Sequence, residues 1–213
     1  MSSTGKSSNL SLAIVLLAAG EGSRMGSIPK ALLRKDGKTL LEHFCRAVEP
    51  LRPLEFTVVT GFHADAIEAE LAKQGKALGL TMTVVRNHQA EQGQGSSVRL
   101  ALESLHSQYD VLAVCLSDQP NISNQDLTRL LEQFAVREPG KEMLMPQVNG
   151  QRGNPVLFSR KAVESILAIP KMVCRLYMDQ NPNLVKIFET DDLAFIQDVD
   201  TEVDVQKLGI TRI

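Results

Sequence analysis

Two cations stand inside a glycine-rich turn near the start of the chain. The segment runs Leu16-Leu17-Ala18-Ala19-Gly20-Glu21-Gly22-Ser23-Arg24-Met25-Gly26-Ser27-Ile28-Pro29-Lys30. Ala18, Ala19, Gly20 and Gly22 carry little or no side chain, so a ligand can come close to the backbone. Exposed amides in such a turn make a nest for anions. Arg24 adds a planar fork and Lys30 a flexible point charge. Together they suit a triphosphate bearing roughly three to four negative charges. The spacing departs from two common phosphate loops. Three residues separate Gly22 from Gly26, where a dinucleotide fingerprint has two, and no Gly-Lys-Ser/Thr follows the strand as a P-loop requires. A tight strand-to-helix turn with incidental charges is the plainer reading, and the pair of cations argues against it.

Carboxylates supply the complementary chemistry. Asp118 ends an apolar run, Val111–Leu116, at the tip of an expected central strand, and Asp198 and Asp200 follow another short apolar stretch. Mg²⁺ is usually held by one or two carboxylates together with substrate phosphates and water. Asp118 and Asp200 can form that pair, with Asp198 as a substitute for Asp200. Each has a structural alternative. Asp118-Gln119-Pro120 is also a turn sequence, and Asp200 could cap a final helix, although Thr201 with Asp204 makes a better capping box.

Gly93-Gln94-Gly95-Ser96-Ser97 precedes an expected helix. It is either an anion- or base-facing N-terminus or a flexible turn with a Ser cap. Arg99, in the first turn of that helix, is either a third phosphate contact or a surface residue. His43, His63, His88 and His106 have no catalytic arrangement around them and are read as structural or solvated. No Gly-x-Ser-x-Gly elbow is present, so a serine hydrolase has no support.

These groups need a frame. Strands are expected at Leu12–Ala18, Phe56–Thr60, Thr81–Val85 and Val111–Leu116, and helices at Leu40–Val48, Ala64–Lys73, Ser97–Leu105 and from Ser123 to about Val136. Thr39 with Glu42 and Ser123 with Asp126 read as capping boxes. After Gly140 short strands are expected at Met143–Gln147, Pro155–Phe158, Leu184–Phe188 and Phe195–Ile196, with helices near Lys161–Leu167 and Val203–Leu208. Continuous apolar strands alternating with helices indicate an α/β, doubly wound, mostly parallel sheet with helices on both faces. In such sheets ligands bind outside the carboxyl ends of the strands. The loops after the first, third and fourth strands therefore converge on one edge.

Length and composition bound the rest. At 213 residues and 43% hydrophobic content the chain suits one domain, expected at 12–213 behind a disordered tail, Met1 to Ser11. Lys6 ahead of Leu12–Ala19 has the outline of a secretory signal, but a core strand is the better reading of this short stretch. A net charge of −2 without a basic run argues against nucleic acid, and no segment is long enough to span a membrane. Cys45, Cys115 and Cys174 form neither a disulfide framework nor a metal spacing, and reduced thiols fit the cytoplasm.

The run Leu17-Ala18-Ala19-Gly20-x-Gly22-Ser23-Arg24-Met25-Gly26-x-x-x-Lys30 resembles the signature of the molybdopterin-type nucleotidyltransferases. Its Ala-Ala-Gly is similar to the molybdenum cofactor cytidylyltransferase branch, where the guanylyltransferase branch has Ala-Gly-Gly. The resemblance continues through Gly93-Gln94-Gly95-Ser96-Ser97, Asp118-Gln119-Pro120, Gly153-Asn154-Pro155-Val156 and Asp198-Val199-Asp200-Thr201. It implies a Rossmann-like nucleotidyltransferase fold and a nucleotide site at Leu17, Ala18, Ala19, Gly20, Gly22, Ser23, Arg24, Lys30, Gly95 and Ser96. Asp118 and Asp200 would bind the metal, and Arg24, Lys30 and Asp118 would serve catalysis. The acceptor would lie at Gly153, Asn154 and Pro155. The implied reaction is Mg²⁺-dependent transfer of CMP from CTP to molybdopterin cofactor with release of pyrophosphate, with a molybdoenzyme or its chaperone as a protein partner. Two alternatives stand beside it: a sugar-phosphate or polyol-phosphate acceptor, and a non-catalytic nucleotide- or cofactor-binding module. Asn154 departs from the Gly-His-Pro-Val common at that position in the resembled enzymes, and an amide cannot be a cation near neutral pH.

Overall fold

Seven consecutive buried residues make Leu12–Ala18 (β1) the centre of the main sheet. The computed structural model describes residues 10–212. Positions 1–9, which hold most of the expected tail, and position 213 lie outside the described residues. Within the described part, Ser11 donates from both its backbone N–H and its hydroxyl to Asp110, beside β1.

The chain continues through β2 (Arg34–Lys35), β3 (Lys38–Thr39), α1 (Leu40–Val48), β4 (Glu55–Thr60), α2 (Ala64–Leu78), β5 (Thr83–Arg86) and α3 (Gln94–Glu103). Then come β6 (Val111–Leu116), α4 (Asn124–Ala135), β7 (Met143–Val148), β8 (Gln151–Arg152), β9 (Val156–Ser159), α5 (Arg160–Ala168), α6 (Cys174–Gln180), β10 (Val185–Glu189), α7 (Glu202–Lys207) and β11 (Ile210–Thr211). The main sheet runs β10-β7-β9-β6-β1-β4-β5, with β8 paired to β7. β1 is parallel to both β4 and β6, β4 to β5, and β7 to β10. β9 runs antiparallel between β6 and β7.

Alternation along β1 feeds two cores. Leu12, Ile14 and Leu16 face α1, α2 and α4 through Phe44, Ile67, Leu71, Leu130 and Phe134. Ala13, Val15 and Leu17 face α3, α5 and α6 through Val98, Leu102, Val163, Ile166 and Tyr177. The fold is thus α/β, mostly parallel and covered on both faces, as the strand–helix alternation required. A third cluster, with Met25, Leu33, Val199, Val205 and Ile210, sits under a small sheet of order β11-β2-β3.

Several expected boundaries are corrected. α3 starts at Gln94 and not at Ser97, because Gly93 at φ 90° turns the chain directly into the helix. α2 runs five residues further than Lys73, to Leu78, and ends at left-handed Gly79. Phe195–Ile196 is no strand: Leu193–Phe195 is a 3₁₀ turn, capped by the Asp192 carboxylate on the Ala194 N–H. The pairs β2, β3, β8 and β11 and the helix α6 carried no usable periodicity. Ser123 and Asp126 form the full capping box, whereas Thr39 caps α1 alone and Glu42 pairs with Arg46 instead.

All three cysteines are free and buried. Burial pushes the Cys45 and Cys174 thiols up to about 12, and Cys115 moves in the same direction. The native protein should therefore react hardly at all with a charged, water-soluble disulfide reagent at pH 7 to 8, and all three thiols should react after unfolding in guanidinium. Rapid labelling of even one thiol in the native state would contradict this placement.

Candidate nucleotide and metal site

The glycine turn leaves the carboxyl end of β1 and closes on itself. Gly22 sits at φ 70°, and its carbonyl accepts from the Met25 and Ser27 N–H groups at 2.9 and 3.0 Å. A Cβ at Gly22 would lie 2.3 Å from the Ile28 carbonyl oxygen, so conformation and space both demand glycine here. Gly20 is different: a Cβ there meets nothing within 4 Å and would project into open space.

Three chain segments meet opposite this turn. Lys30 Nζ donates to Asp118 at 3.1 Å and to Asp200 at 2.6 Å, and Arg24 donates to the second oxygen of Asp200 at 2.7 Å. Asp118 follows β6, and its carbonyl accepts from Val199 N–H at 3.0 Å, which draws the 198–200 stretch alongside. Asp200 is not the cap of α7. Thr201 and Asp204 form that box, which leaves the Asp200 carboxylate for the two cations. The Lys30 side chain is 18% exposed and that of Arg24 70%, so Lys30 is the inner cation and Arg24 the outer one. Hydrogen bonding from Lys30 holds the Asp200 carboxyl below the usual carboxylate range. Burial pulls the Lys30 ammonium down, but Asp118 and Asp200 outweigh it and raise the group above an ordinary lysine. Asp198, nearby, is pushed up by burial and by the charges of Asp118 and Asp200.

A cleft of about 620 Å³ opens between these groups. Of the residues expected to bind, Leu17, Ala18, Ala19, Gly20, Gly22, Ser23, Arg24, Lys30, Asp118, Asn154 and Asp200 line it, together with Asp198. Gly95, Ser96, Gly153 and Pro155 do not. Because α3 begins at Gln94, residues 94 and 97 share the cleft face while 95 and 96 turn away. The Ser96 hydroxyl is spent on the Gly93 and Gln89 carbonyls. Gly153 packs against the turn before Asp198, where a Cβ would lie 2.8 Å from the Phe195 carbonyl oxygen. Arg99 is a structural residue: its guanidinium donates to the carbonyls of Ile166, Leu167 and Ile169 and so caps the end of α5.

Phe62 and Arg175 line the cleft and were not singled out from sequence. Phe62 is 47% exposed. It lies in the loop after β4, whose strand was recognised but whose loop holds no polar or glycine-rich run. His63 Nε2 donates to the Glu21 carbonyl at 2.8 Å and docks that loop on the glycine turn. Arg175 belongs to the unanticipated α6.

This is the Rossmann-like fold of nucleotidyltransferases, with its carboxylates and cations facing one another across the strand ends. Residues 14–178 match the family described as the MobA-like NTP transferase domain, and the chain belongs to that family. Nicotine blue oxidoreductase of Paenarthrobacter nicotinovorans is 31% identical over 204 residues, covering 91% of this chain and 94% of that one. The bifunctional protein GlmU of Francisella philomiragia is 41% identical over 58% of this chain, which spans about a quarter (26%) of that protein's length. Among solved structures, Rv0371c of Mycobacterium tuberculosis H37Rv superposes with a TM-score of 0.71 at 26% identity, covering 92% of this chain and 97% of that one; it is also known in a complex with manganese. The inositol-1-phosphate CTP transferase of T. maritima shares the fold, with a TM-score of 0.62 at 19% identity over 93% of this chain and 94% of that one.

Two expectations follow. Gly22→Ala should lower stability by roughly 1–3 kcal/mol through backbone strain and the Ile28 clash, whereas Gly20→Ala should stay within about 0.5 kcal/mol of wild type. Urea unfolding of both variants decides this. Lys30→Ala should cost about 1–2 kcal/mol at pH 7, between an exposed and a fully buried pair. Asp200 has a depressed folded value, so its contribution is present above the unfolded carboxylate range and disappears as pH falls through the folded value. The gap between wild type and Lys30→Ala should accordingly close below about pH 4.

Proposed function

We propose that one nucleotidyltransferase domain spanning residues 12–213 transfers a cytidylyl group from CTP to the phosphate of molybdopterin cofactor and releases pyrophosphate in the cytoplasm. The observation that carries the reading is the Lys30 ammonium, shared between Asp118 and Asp200 at the mouth of a side-chain-poor turn. The family's description as an NTP transferase supports the reaction class. The fold-level likeness to a CTP transferase supports the choice of CTP.

In this reading the amides of Gly20, Gly22 and Ser23 cradle the triphosphate, and Arg24 and Lys30 offset the charge on its β and γ groups. An oxygen of the acceptor phosphate forms the new bond to the α-phosphorus. The bond from that phosphorus to the bridging oxygen breaks, and pyrophosphate leaves with the electron pair. The acceptor phosphate is already anionic, so no side chain has to remove a proton. Positioning and charge stabilisation supply the rate. Asp118 and Asp200 present hard oxygen donors close enough to share one ammonium, which fits a divalent cation such as Mg²⁺ completed by phosphates and water. Asp198 lines the same cleft and is the substitute for Asp200 as second ligand. Bound there, the ion would offset charge on the α-phosphate.

A polyol- or sugar-phosphate acceptor is the second reading within the same chemistry, supported by the inositol-1-phosphate enzyme of like fold. A different class is favoured by one observation, the oxidoreductase name of a relative aligned along nearly its whole length.

Pyrophosphate release, followed with CTP, GTP, ATP and UTP against phosphorylated acceptors, separates the three. Release with CTP and molybdopterin is the expected result. Lys30→Ala should lower kcat/KM by about a hundredfold or more, and Gly20→Ala should weaken CTP binding while the protein stays folded. A thermal shift led by GTP would overturn the cytidylyl choice. No triphosphate binding and no release with any pair would move the chain to the oxidoreductase reading.

A further inference from the structure

Two flanks of the cleft differ in character, and the glycine turn divides them. β4 and β6 pair with opposite edges of β1, so the loop carrying Phe62 and the loop carrying Asp118 stand on either side of the turn. The Asp118 flank is acidic, with Asp198 and Asp200 beside it. On the other flank the lining residues are Phe62, Ile67, Ala90 and Gly93, and none of them carries a charge. Phe62 is the one aromatic residue of the lining. It is also an exception in the chain: of seven Phe and two Tyr, the others are buried or half-buried against the core, whereas Phe62 is 47% exposed. Its neighbours fix its place. Gly61 is wedged between the loops after β1 and β5, where a Cβ would lie 2.7 Å from the Ala19 carbonyl oxygen and 2.8 Å from Ala90 Cβ. On the other side His63 is bonded to the Glu21 carbonyl, and Ala64 N–H closes the turn on the Gly61 carbonyl at 3.1 Å. A single exposed apolar side chain is ordinary on a protein surface. One clamped from both sides in the wall of a cleft is not.

We infer that Phe62 is the platform on which the base of the nucleotide stacks, so that this residue separates nucleoside triphosphates from bare polyphosphates. The inference rests on the transfer reading and adds a specificity-determining residue to it. In that reading the turn amides, Arg24 and Lys30 hold the phosphates, and the metal and the acceptor take the acidic flank. The uncharged nucleoside is then left the flank of Phe62. A base laid on the ring takes the exposed phenyl face and its own face out of water together. Every base offers a π face for such a contact. The ring therefore contributes affinity common to all four bases, and the choice among them falls to groups that meet the base edge. A bare polyphosphate brings similar charge but has nothing to lay on the ring. The turn and its cations alone could not tell the two apart.

The chain has no tryptophan, so Phe62→Trp places a single indole at this position. With Mg²⁺ present, the nucleotide probe is whichever of CTP, GTP, ATP and UTP binds the wild-type protein most tightly, and inorganic tripolyphosphate is the control. Binding of both is followed by calorimetry. The indole emission, excited where tyrosine does not absorb, should be quenched by the nucleotide and left unchanged by tripolyphosphate. Phe62→Ala should weaken the nucleotide about five- to a hundredfold, while tripolyphosphate keeps its wild-type affinity. Phe62→Tyr should retain wild-type affinity for both. Three results overturn the inference: an unchanged nucleotide affinity in Phe62→Ala, an equal loss for nucleotide and tripolyphosphate, or an indole emission that bound nucleotide does not move. An equal loss would make Phe62 a support of the turn only. Any of these, with nucleotide binding intact in the wild type, removes the base platform and leaves the transfer reading standing. A wild-type protein that binds no triphosphate removes the transfer reading, and the platform with it.

Discussion

A single ammonium joins the two halves of the site. Lys30 belongs to the segment that follows the glycine turn, Asp118 to the end of β6, and Asp200 to the approach to the last helix. These positions are 88 and 170 residues apart from Lys30 in sequence. Without the lysine, two carboxylates and a raised Asp198 would face one another across a partly dried cleft, and like charges at that range repel strongly. With it, the negative seat and the positive turn hold each other in place, and Arg24 adds a more exposed second contact. The same balance of charge makes the cleft suitable for a bound polyanion and its counter-ion. Both need a site that already carries charges of each sign at fixed positions.

The rest of the fold keeps those three side chains aligned. Parallel pairing of β1 with β4 and β6 puts the turn and Asp118 at one edge. The 193–200 stretch is pinned more finely. Val199 N–H bonds to the Asp118 carbonyl, Asn154 N–H and Gln119 Nε2 donate to the Phe195 carbonyl, and Gly153 packs flush against Phe195. The small β11-β2-β3 sheet and its cluster around Val199, Val205 and Ile210 cover the outer side of this strap. The acidic seat is therefore built from a loop, but the loop is braced on both sides.

The family relationship sits comfortably with this division of labour. Relatives that carry transferase and oxidoreductase names share the frame, which illustrates that function resides in what the loops present and not in the fold. In this chain the glycine-turn side of the cleft consists of backbone, small residues and two cations. The opposite side is shaped by β7, β9 and α6. Residues on that second side can change without disturbing the Lys30 bridge, which is made by Asp118 and Asp200 alone.

Local chemistry was enough to locate the turn, its cations and Asp118, because small residues, like β-branched strands, act where they stand in the chain. Strand alternation likewise carried the α/β class, since a segment buried on both faces must be apolar throughout. The preference for Thr201–Asp204 as the last helix cap could also be read directly, as capping spans four residues. Tertiary structure alone decided the remainder. That Gln94 and Ser97 face the cleft, and not Gly95 and Ser96, depends on where α3 begins. That Arg99 braces α5 depends on a helix nearly seventy residues away. Phe62 and Arg175 enter the cleft because β4 and α6 are brought to the same edge, and neither has a neighbour in sequence that marks it. Contacts made by packing distant elements leave no local periodicity, whereas turns, caps and strands are determined by residues a few positions apart.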